Sequence, residues 1–310
     1  MSAGPAAAAP PVAPPARAAA GYILLAAAAF GSLSIGVTLA TRAGVTLIGL
    51  MAWRYALAAP LLVLAAGGPA RVRIAAPHAL ALLLLGGGGQ TLVTFLSFSS
   101  LAWLNAGQLA FLFYTYPAWV ALFAALSGAE ALTPVRVLAL GLALAGIATM
   151  VGTPWSAALP LPGVWRAVGA AAIYALYIPL LHRLRGPLDA AVASAWVIAG
   201  AALVFGGWAL ARGELFTHMS PAMWGIALAS AVVSTVVAFI AFLRGLAALG
   251  AVRTAILSTV EPFWTALLAA LVLGQPLTGT TVGGGLVIIV AIVLLQRSAS
   301  PALPDVPPPE

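Results

Sequence analysis

Two stretches of this chain repeat one another. Ser100-Leu-Ala-Trp-Leu-Asn-Ala through Tyr116-Pro-Ala-Trp119 aligns with Gly245-Leu-Ala-Ala-Leu-Gly-Ala through Glu261-Pro-Phe-Trp264 at a constant offset. The copies share Leu101 with Leu246, Leu104 with Leu249, Ala110 with Ala255, Pro117 with Pro262 and Trp119 with Trp264. A second match pairs Ala27 to Gly36 with Ala170 to Pro179, and Ala52-Trp53 with Ala195-Trp196. A chain built this way folds as two versions of one unit. The number of elements in each version then decides how the two face one another.

Composition says what those elements are. Of 310 residues 63% are hydrophobic and 6% charged, and the mean hydropathy is +1.12, far outside the range of soluble domains. Apolar stretches near twenty residues long cross a hydrocarbon core of about 30 Å. Ten are marked, at 20–40, 44–66, 78–99, 106–127, 133–152, 164–182, 190–211, 221–243, 253–273 and 279–296. Each copy therefore holds five crossings, and an odd number forces the second copy to enter from the opposite face. The expected fold is an all-α membrane protein of ten transmembrane helices arranged as two inverted five-helix repeats. The repeats are placed at 20–155 and 156–298, between Pro/Ala-rich tails at 1–19 and 299–310 that read as disordered. Inverted repeats are the signature of carriers, with the site between the halves near the midplane.

Charge sets the orientation. All thirteen basic residues are Arg. With a cytoplasmic N-terminus, Arg17, Arg71, Arg73, Arg136, Arg183, Arg185, Arg244, Arg253 and Arg297 fall inside and only Arg42, Arg166 and Arg212 outside. That distribution obeys the positive-inside rule and puts both termini in the cytoplasm. A signal peptide reading of Arg17 and the run to Phe30 is set aside, because the segment has a repeat partner at Ala170. The net charge of +7 is thus topological and implies no nucleic-acid partner.

Polar groups in lipid are costly and mark interior or wet surfaces. Thr254, Ser258, Glu261 and Thr265 follow the spacing of one helical face in the ninth span, and Glu261 is the acidic residue placed well inside a span. Gln90, Thr94 and Ser97 share a face of the third span, and Gly31, Ser34, Thr38 and Thr41 share one of the first. The equivalent face of the sixth span carries Tyr174 and Tyr177, the eighth has Ser230 and Ser234 one turn apart, and Tyr114 and Tyr116 precede Pro117. Together they describe a cavity for a small organic molecule, with Ser34, Gln90, Thr94, Tyr114, Tyr174, Tyr177, Ser234, Ser258 and Glu261 as its candidate lining. Glu261 is also the candidate for proton exchange. Arg54, ten residues into the second span, has three readings: pairing with Glu261, binding a substrate carboxylate, or a structural cation, the last preferred. Gly36, Pro117, Pro179 and Pro262 are the candidate hinges. For any single hydroxyl the bland alternative is a bond to its own i−4 carbonyl, and for Gly86 to Gly89 it is close helix packing.

These residues resemble the drug/metabolite transporter superfamily, in its ten-helix branch built from two EamA-type repeats. The resemblance rests on Arg54-Tyr55-Ala56 with Ala58-Ala59, on the run from Ala106 to Pro117 with its Pro-Ala-Trp ending, and on Ala129-Glu130-Ala-Leu132. It extends to Gly141 and Gly146, Glu261-Pro262, and Gly274-Gln275. Where that family often has Leu-Gly-Glu after the fourth and ninth spans, this chain reads Gly128-Ala129-Glu130 and Leu273-Gly274-Gln275. The resemblance implies a bacterial inner-membrane secondary carrier exporting an amino acid or related metabolite by alternating access. A multidrug or sugar-derivative exporter is the alternative within the superfamily.

Other classes fit less well. No Walker A sequence, His-Glu-x-x-His or Gly-x-Ser-x-Gly occurs, which weighs against ATP hydrolysis and membrane-embedded catalysis. Cysteine is absent and His78, His182 and His218 are scattered, so no metal or cofactor is expected. A passive channel would need a continuous wet path. The expected partners are a small-molecule substrate, protons and the lipid bilayer, for a monomer or homodimer.

Overall fold

The structure, a computed structural model, describes residues 15–104, 106–128, 132–151, 160–215 and 219–297. Hydrocarbon offers the backbone no hydrogen-bond partner, so a chain that crosses it must satisfy its peptide groups internally. The described residues do so as helices joined by short turns, with no strand among them. The first repeat comprises α1 (Ala16–Arg42), α2 (Leu47–Ala65), α3 (Ala76–Leu84), α4 (Thr91–Ser99), α5 (Ala106–Phe113), α6 (Tyr116–Leu126) and α7 (Pro134–Val151). The second comprises α8 (Leu161–Arg185), α9 (Ala190–Ala211), α10 (Pro221–Ala231), α11 (Ala238–Ser258), α12 (Glu261–Leu273) and α13 (Gly279–Arg297). Eight helical stretches are long and apolar enough to cross a bilayer, and the shorter apolar helices Pro134–Met150 and Glu261–Leu273 complete the set.

The two halves depart from regular helix at matching places. A π-helical turn, Leu85–Gln90, joins α3 to α4 in the third span, and a second, Val232–Val237, joins α10 to α11 in the eighth. Thr91 Oγ1 donates to Gly86 O at 3.3 Å in the first, and Thr235 Oγ1 to Ser230 O at 3.1 Å in the second, so each turn is closed by a hydroxyl five residues on. The fourth and ninth spans are broken. Pro117 and Pro262 stand in the first turns of α6 and α12, where a missing N–H is tolerated and a preceding helix is stopped.

That break corrects the single face expected of the ninth span. Thr254 and Ser258 belong to the end of α11, whereas Glu261 opens α12 after the turn at Thr259 and Val260. The helical register is therefore lost between Ser258 and Glu261. The link between the eighth and ninth spans also differs from the expected loop: α11 runs through it, turning only at Gly250, whose φ of 75° is readily open to glycine. By contrast α1 and α8 pass through Gly36 and Pro179 without a break. Expectations for Glu130, His218, residues 1–14 and residues 299–310 fall outside the described residues.

Between lipid-embedded helices there is little hydrophobic drive, so close backbone approach and polar contacts must hold the halves together. Here the repeats interlock: α2 packs along α9, α1 along α11 as α4 does along α8, and α7 along α13. The π-turn of each half lies against the second helix of the other, Val232–Val237 on α2 and Leu85–Gln90 on α9. Glycines permit these approaches. A Cβ on Gly86 would lie 1.7 Å from Val197 O, one on Gly200 2.0 Å from Leu83 O, and one on Gly284 2.3 Å from Gly146 O.

Loop contacts tie the halves at both ends. Trp196 Nε1 donates to Val72 O at 2.9 Å, and His78 contacts Leu184 O nearby. At the other end Thr46, which caps α2 by accepting from Gly49 N, donates to Glu214 Oε2 at 2.9 Å. Arg212 Nε donates to Glu214 Oε1 at 2.6 Å. These bonds, chiefly that from Arg212, hold the Glu214 carboxyl below its ordinary value of 4.5.

Gly284→Val should lower the melting temperature in detergent by roughly 5 °C or more through overpacking, while Gly141→Ala, where nothing lies within 4 Å, should leave it unchanged. For the loop contact, a carboxyl with a depressed folded pKa contributes stability above its ordinary value and loses it as pH falls through the depressed one. Wild type should therefore be more stable than Glu214→Gln at pH 7, and the gap should close as the pH drops below 4.5. Equal melting curves at pH 7 would show that the contact contributes nothing.

Candidate functional site

Interlocked halves leave a cavity of about 460 Å³ between them. All five spans of the first repeat contribute to its lining, and the sixth, eighth, ninth and tenth spans contribute from the second. Of the residues expected there, Ser34, Gln90, Thr94, Tyr114, Tyr174, Tyr177 and Glu261 do line it, and so does Arg54. Ser234 and Ser258 do not. Ser234 Oγ instead shares a hydrogen bond with Ser32 Oγ at 2.9 Å, and Ser258 Oγ donates to Thr254 O at 2.9 Å, the i−4 bond that makes a hydroxyl structural in lipid. Among the hinge residues Pro262 lines the cavity, Gly36 packs against Ser230, and Pro117 is buried.

At one end of the cavity the two broken spans meet. Tyr114, in the break between α5 and α6, is within hydrogen-bonding reach of Glu261 at the start of α12. The first turn of a helix presents unpaired N–H groups, a favourable place for a carboxyl. Gly31 makes room for it, since a Cβ there would lie 2.7 Å from Thr265 Oγ1 and 3.5 Å from Glu261 Cγ. Thr265 Oγ1 also donates to Gly31 O at 3.2 Å, fixing α12 to α1. Aromatic rings continue the wall. Phe113 and Tyr174 stack at 5.6 Å, Tyr116 meets Tyr174 edge-on at 4.8 Å, and Tyr174 stacks on Tyr177 at 5.9 Å.

A second polar group surrounds Arg54, which is 2% exposed. Its Nε donates to Thr235 Oγ1 at 2.8 Å and its Nη2 to Ser234 O at 2.9 Å, both in the π-helical turn of the opposite repeat. Its Nη1 faces Tyr55 OH at 3.3 Å and Met51 Sδ at 3.5 Å. Tyr55 OH accepts also from Gln90 Nε2 at 3.2 Å and lies 3.3 Å from Thr94 Oγ1. The Arg54 to Glu261 pairing weighed from the sequence is not formed: among the described residues the acidic partner of an ion pair is Glu214, on Arg212. The preferred structural reading of Arg54 thus has its bonds, although the residue also contributes to the cavity wall.

Sequence reasoning missed the apolar wall of this site. Phe30, Leu33, Val37, Phe239 and Phe242 line it, with Phe30 edge-on to Phe239 at 5.4 Å. Nothing marks these positions in a chain that is apolar nearly everywhere. Tyr55 was legible only as part of a motif, and its place as the hub joining Arg54, Gln90 and Thr94 needed the fold.

An all-helical membrane protein whose two halves enclose one cavity, broken helices meeting inside it, belongs by architecture to the inverted-repeat carriers. Comparison with known proteins gives the family. The EamA-like transporter family matches the chain twice, over residues 17–152 and 161–297, and the chain belongs to that family. It is a multi-pass membrane protein. A solved crystal structure, described only as that of a protein, is similar with a TM-score of 0.72 at 22% identity, covering 92% of this chain and 99% of its own. That likeness shows the fold. No curated protein matches the sequence.

The chain contains no cysteine, which makes the lining directly testable. Thr38→Cys and Thr281→Cys, both on the cavity wall, should react with a charged thiol reagent added from one side of the membrane. Ser234→Cys and Ser258→Cys should stay unmodified under the same conditions.

Proposed function

We propose that this protein is a secondary transporter of the bacterial inner membrane that exports a small metabolite, such as an amino acid, by alternating access. The observation that carries the proposal is the cavity itself, walled by both repeats and containing Glu261 where the two broken spans meet. Membership in a transporter family favours carriage over membrane-embedded catalysis.

The distribution of lining residues supports a one-sided arrangement. Thr38, Leu101, Ile147, Met150, Gln275 and Thr281 extend the cavity toward one end of the bundle. With cytoplasmic termini, as the Arg distribution suggests, that end is the outer one. Toward the other end α1 and α11 are in tight contact: a Cβ on Gly245 would lie 2.4 Å from Ile23 Cδ1 and 2.9 Å from Ala19 O. Arg244 also sits over the Tyr22 ring at 5.7 Å. In this reading the arrangement is the outward-facing one, and inward opening separates α1 from α11 while the breaks at Pro117 and Pro262 absorb the bending.

Glu261 is the group proposed to exchange protons with the moving solute. Pyranine-loaded proteoliposomes test this: Glu261→Gln should keep its fold, through the unchanged contacts of Thr265 and Pro262, and lose most substrate-dependent proton flux. Undiminished flux in that variant would remove Glu261 from coupling. A multidrug or sugar-derivative exporter is the second reading. Its drug form is favoured by the tyrosine rings beside an acid, which suit organic cations.

A further inference from the structure

The contacts of Arg54 leave its charge unanswered. A guanidinium has five N–H donors and one full charge. Here four contacts are made, to a threonine hydroxyl, a tyrosine hydroxyl, a main-chain carbonyl and a thioether sulfur. All are neutral, and one Nη2 hydrogen is left over by that count. A buried cation normally has an anion beside it, because desolvation is otherwise uncompensated. Among the described residues none pairs with Arg54. Its orientation is nevertheless fixed from both sides, by the π-turn at Ser234 and Thr235 and by Tyr55.

An independent feature lies on the wall of the same cavity. Tyr177 is 3% exposed and lines the cavity, and its hydroxyl has no hydrogen-bond partner. Its ring packs over Gly89, where a Cβ would lie 2.8 Å from Cδ2, which sets it beside Gln90. The hydroxyl also lies within electrostatic range of Tyr55, the residue that accepts from Arg54. An unsatisfied buried phenol is costly, and Tyr177 shares the wall of the cavity with Arg54.

We propose that Arg54 and Tyr177 form the docking point for a carboxylate on the transported solute. The free N–H and the phenolic O–H supply two donors for the two carboxylate oxygens, and the solute's negative charge replaces the absent protein anion. The rest of the solute then lies along the stacked Tyr177 and Tyr174 toward Glu261. This assignment rests on reading the cavity as the solute site, and it specifies a substrate class that the cavity alone does not.

The test uses matched trios that differ only in their charged groups: L-phenylalanine, 3-phenylpropionate and phenethylamine, and L-leucine, 4-methylpentanoate and isopentylamine. Binding is read by thermal shift and transport by counterflow into proteoliposomes. In at least one trio the two acid-bearing members should bind and exchange while the amine does not. Arg54→Gln should weaken those acids about tenfold or more, and Tyr177→Phe several-fold. Tyr177→Phe removes a hydroxyl that holds nothing in the protein, so it keeps the assignment testable if Arg54→Gln fails to fold. The assignment is overturned if amines bind as well as their acid partners, or if Tyr177→Phe leaves every probe unchanged. Exchange of amines alone would sink the carboxylate site but leave transport standing, whereas no exchange of any probe by the wild type would sink both.

Discussion

Everything in this fold depends on a backbone that has no water to bond with. In hydrocarbon an unpaired N–H or C=O costs several kcal/mol, so every departure from regular helix has to be turned inward and given a partner. Among the described residues both π-turns and both helix breaks follow that rule. Thr91 and Thr235 close the two π-turns, Thr115 and Thr259 donate to Leu112 O and Ile256 O at the two breaks, and Arg54 takes the carbonyl of Ser234. Places that need partners and places that face the cavity coincide for this reason. Irregular backbone in a membrane protein survives only where protein or a wet space surrounds it.

The same constraint explains how two halves with little hydrophobic incentive to associate stay together. Each uses its second helix to cover the π-turn of the other, but by different chemistry. On one side a guanidinium reaches across from α2 to the turn. On the other, Gly86 lets that turn settle directly on the Val197 carbonyl of α9. Continuing the match of Ala52-Trp53 with Ala195-Trp196 by one residue aligns Arg54 with Val197. One repeat position thus performs one packing task in two ways, and only the polar version leaves a charge at the cavity.

Much of this was legible in the sequence, because lipid makes signals coarse and strong. Span number and the odd count that inverts the repeat could be read from spacing alone, while the prolines, read as hinges, mark breaks at Pro117 and Pro262 and an unbroken helix at Pro179. So could most of the polar lining, since a Gln, a Glu or a Tyr pair inside an apolar span has few other places to point. Reasoning failed where it treated a span as one unbroken helix. Ser258 was placed beside Glu261 by helical spacing, yet the turn at Thr259 and Val260 resets the register, and Pro262 was the available sign of it. Ser234 was lost differently, because the π-turn rotates its hydroxyl toward Ser32. The apolar wall of Phe30, Phe239 and Phe242 had no contrast to reveal it.

Tyr116 occupies in the first repeat the place that Glu261 holds in the second, each directly before its proline. The two-fold relation therefore governs the path of the main chain and stops short of the ionisable groups. A pair of identical halves would carry two acids or none at the break, and two guanidiniums or none at the π-turn. Fusing the halves into a single polypeptide let evolution edit one without the other, giving a symmetric framework a lopsided interior.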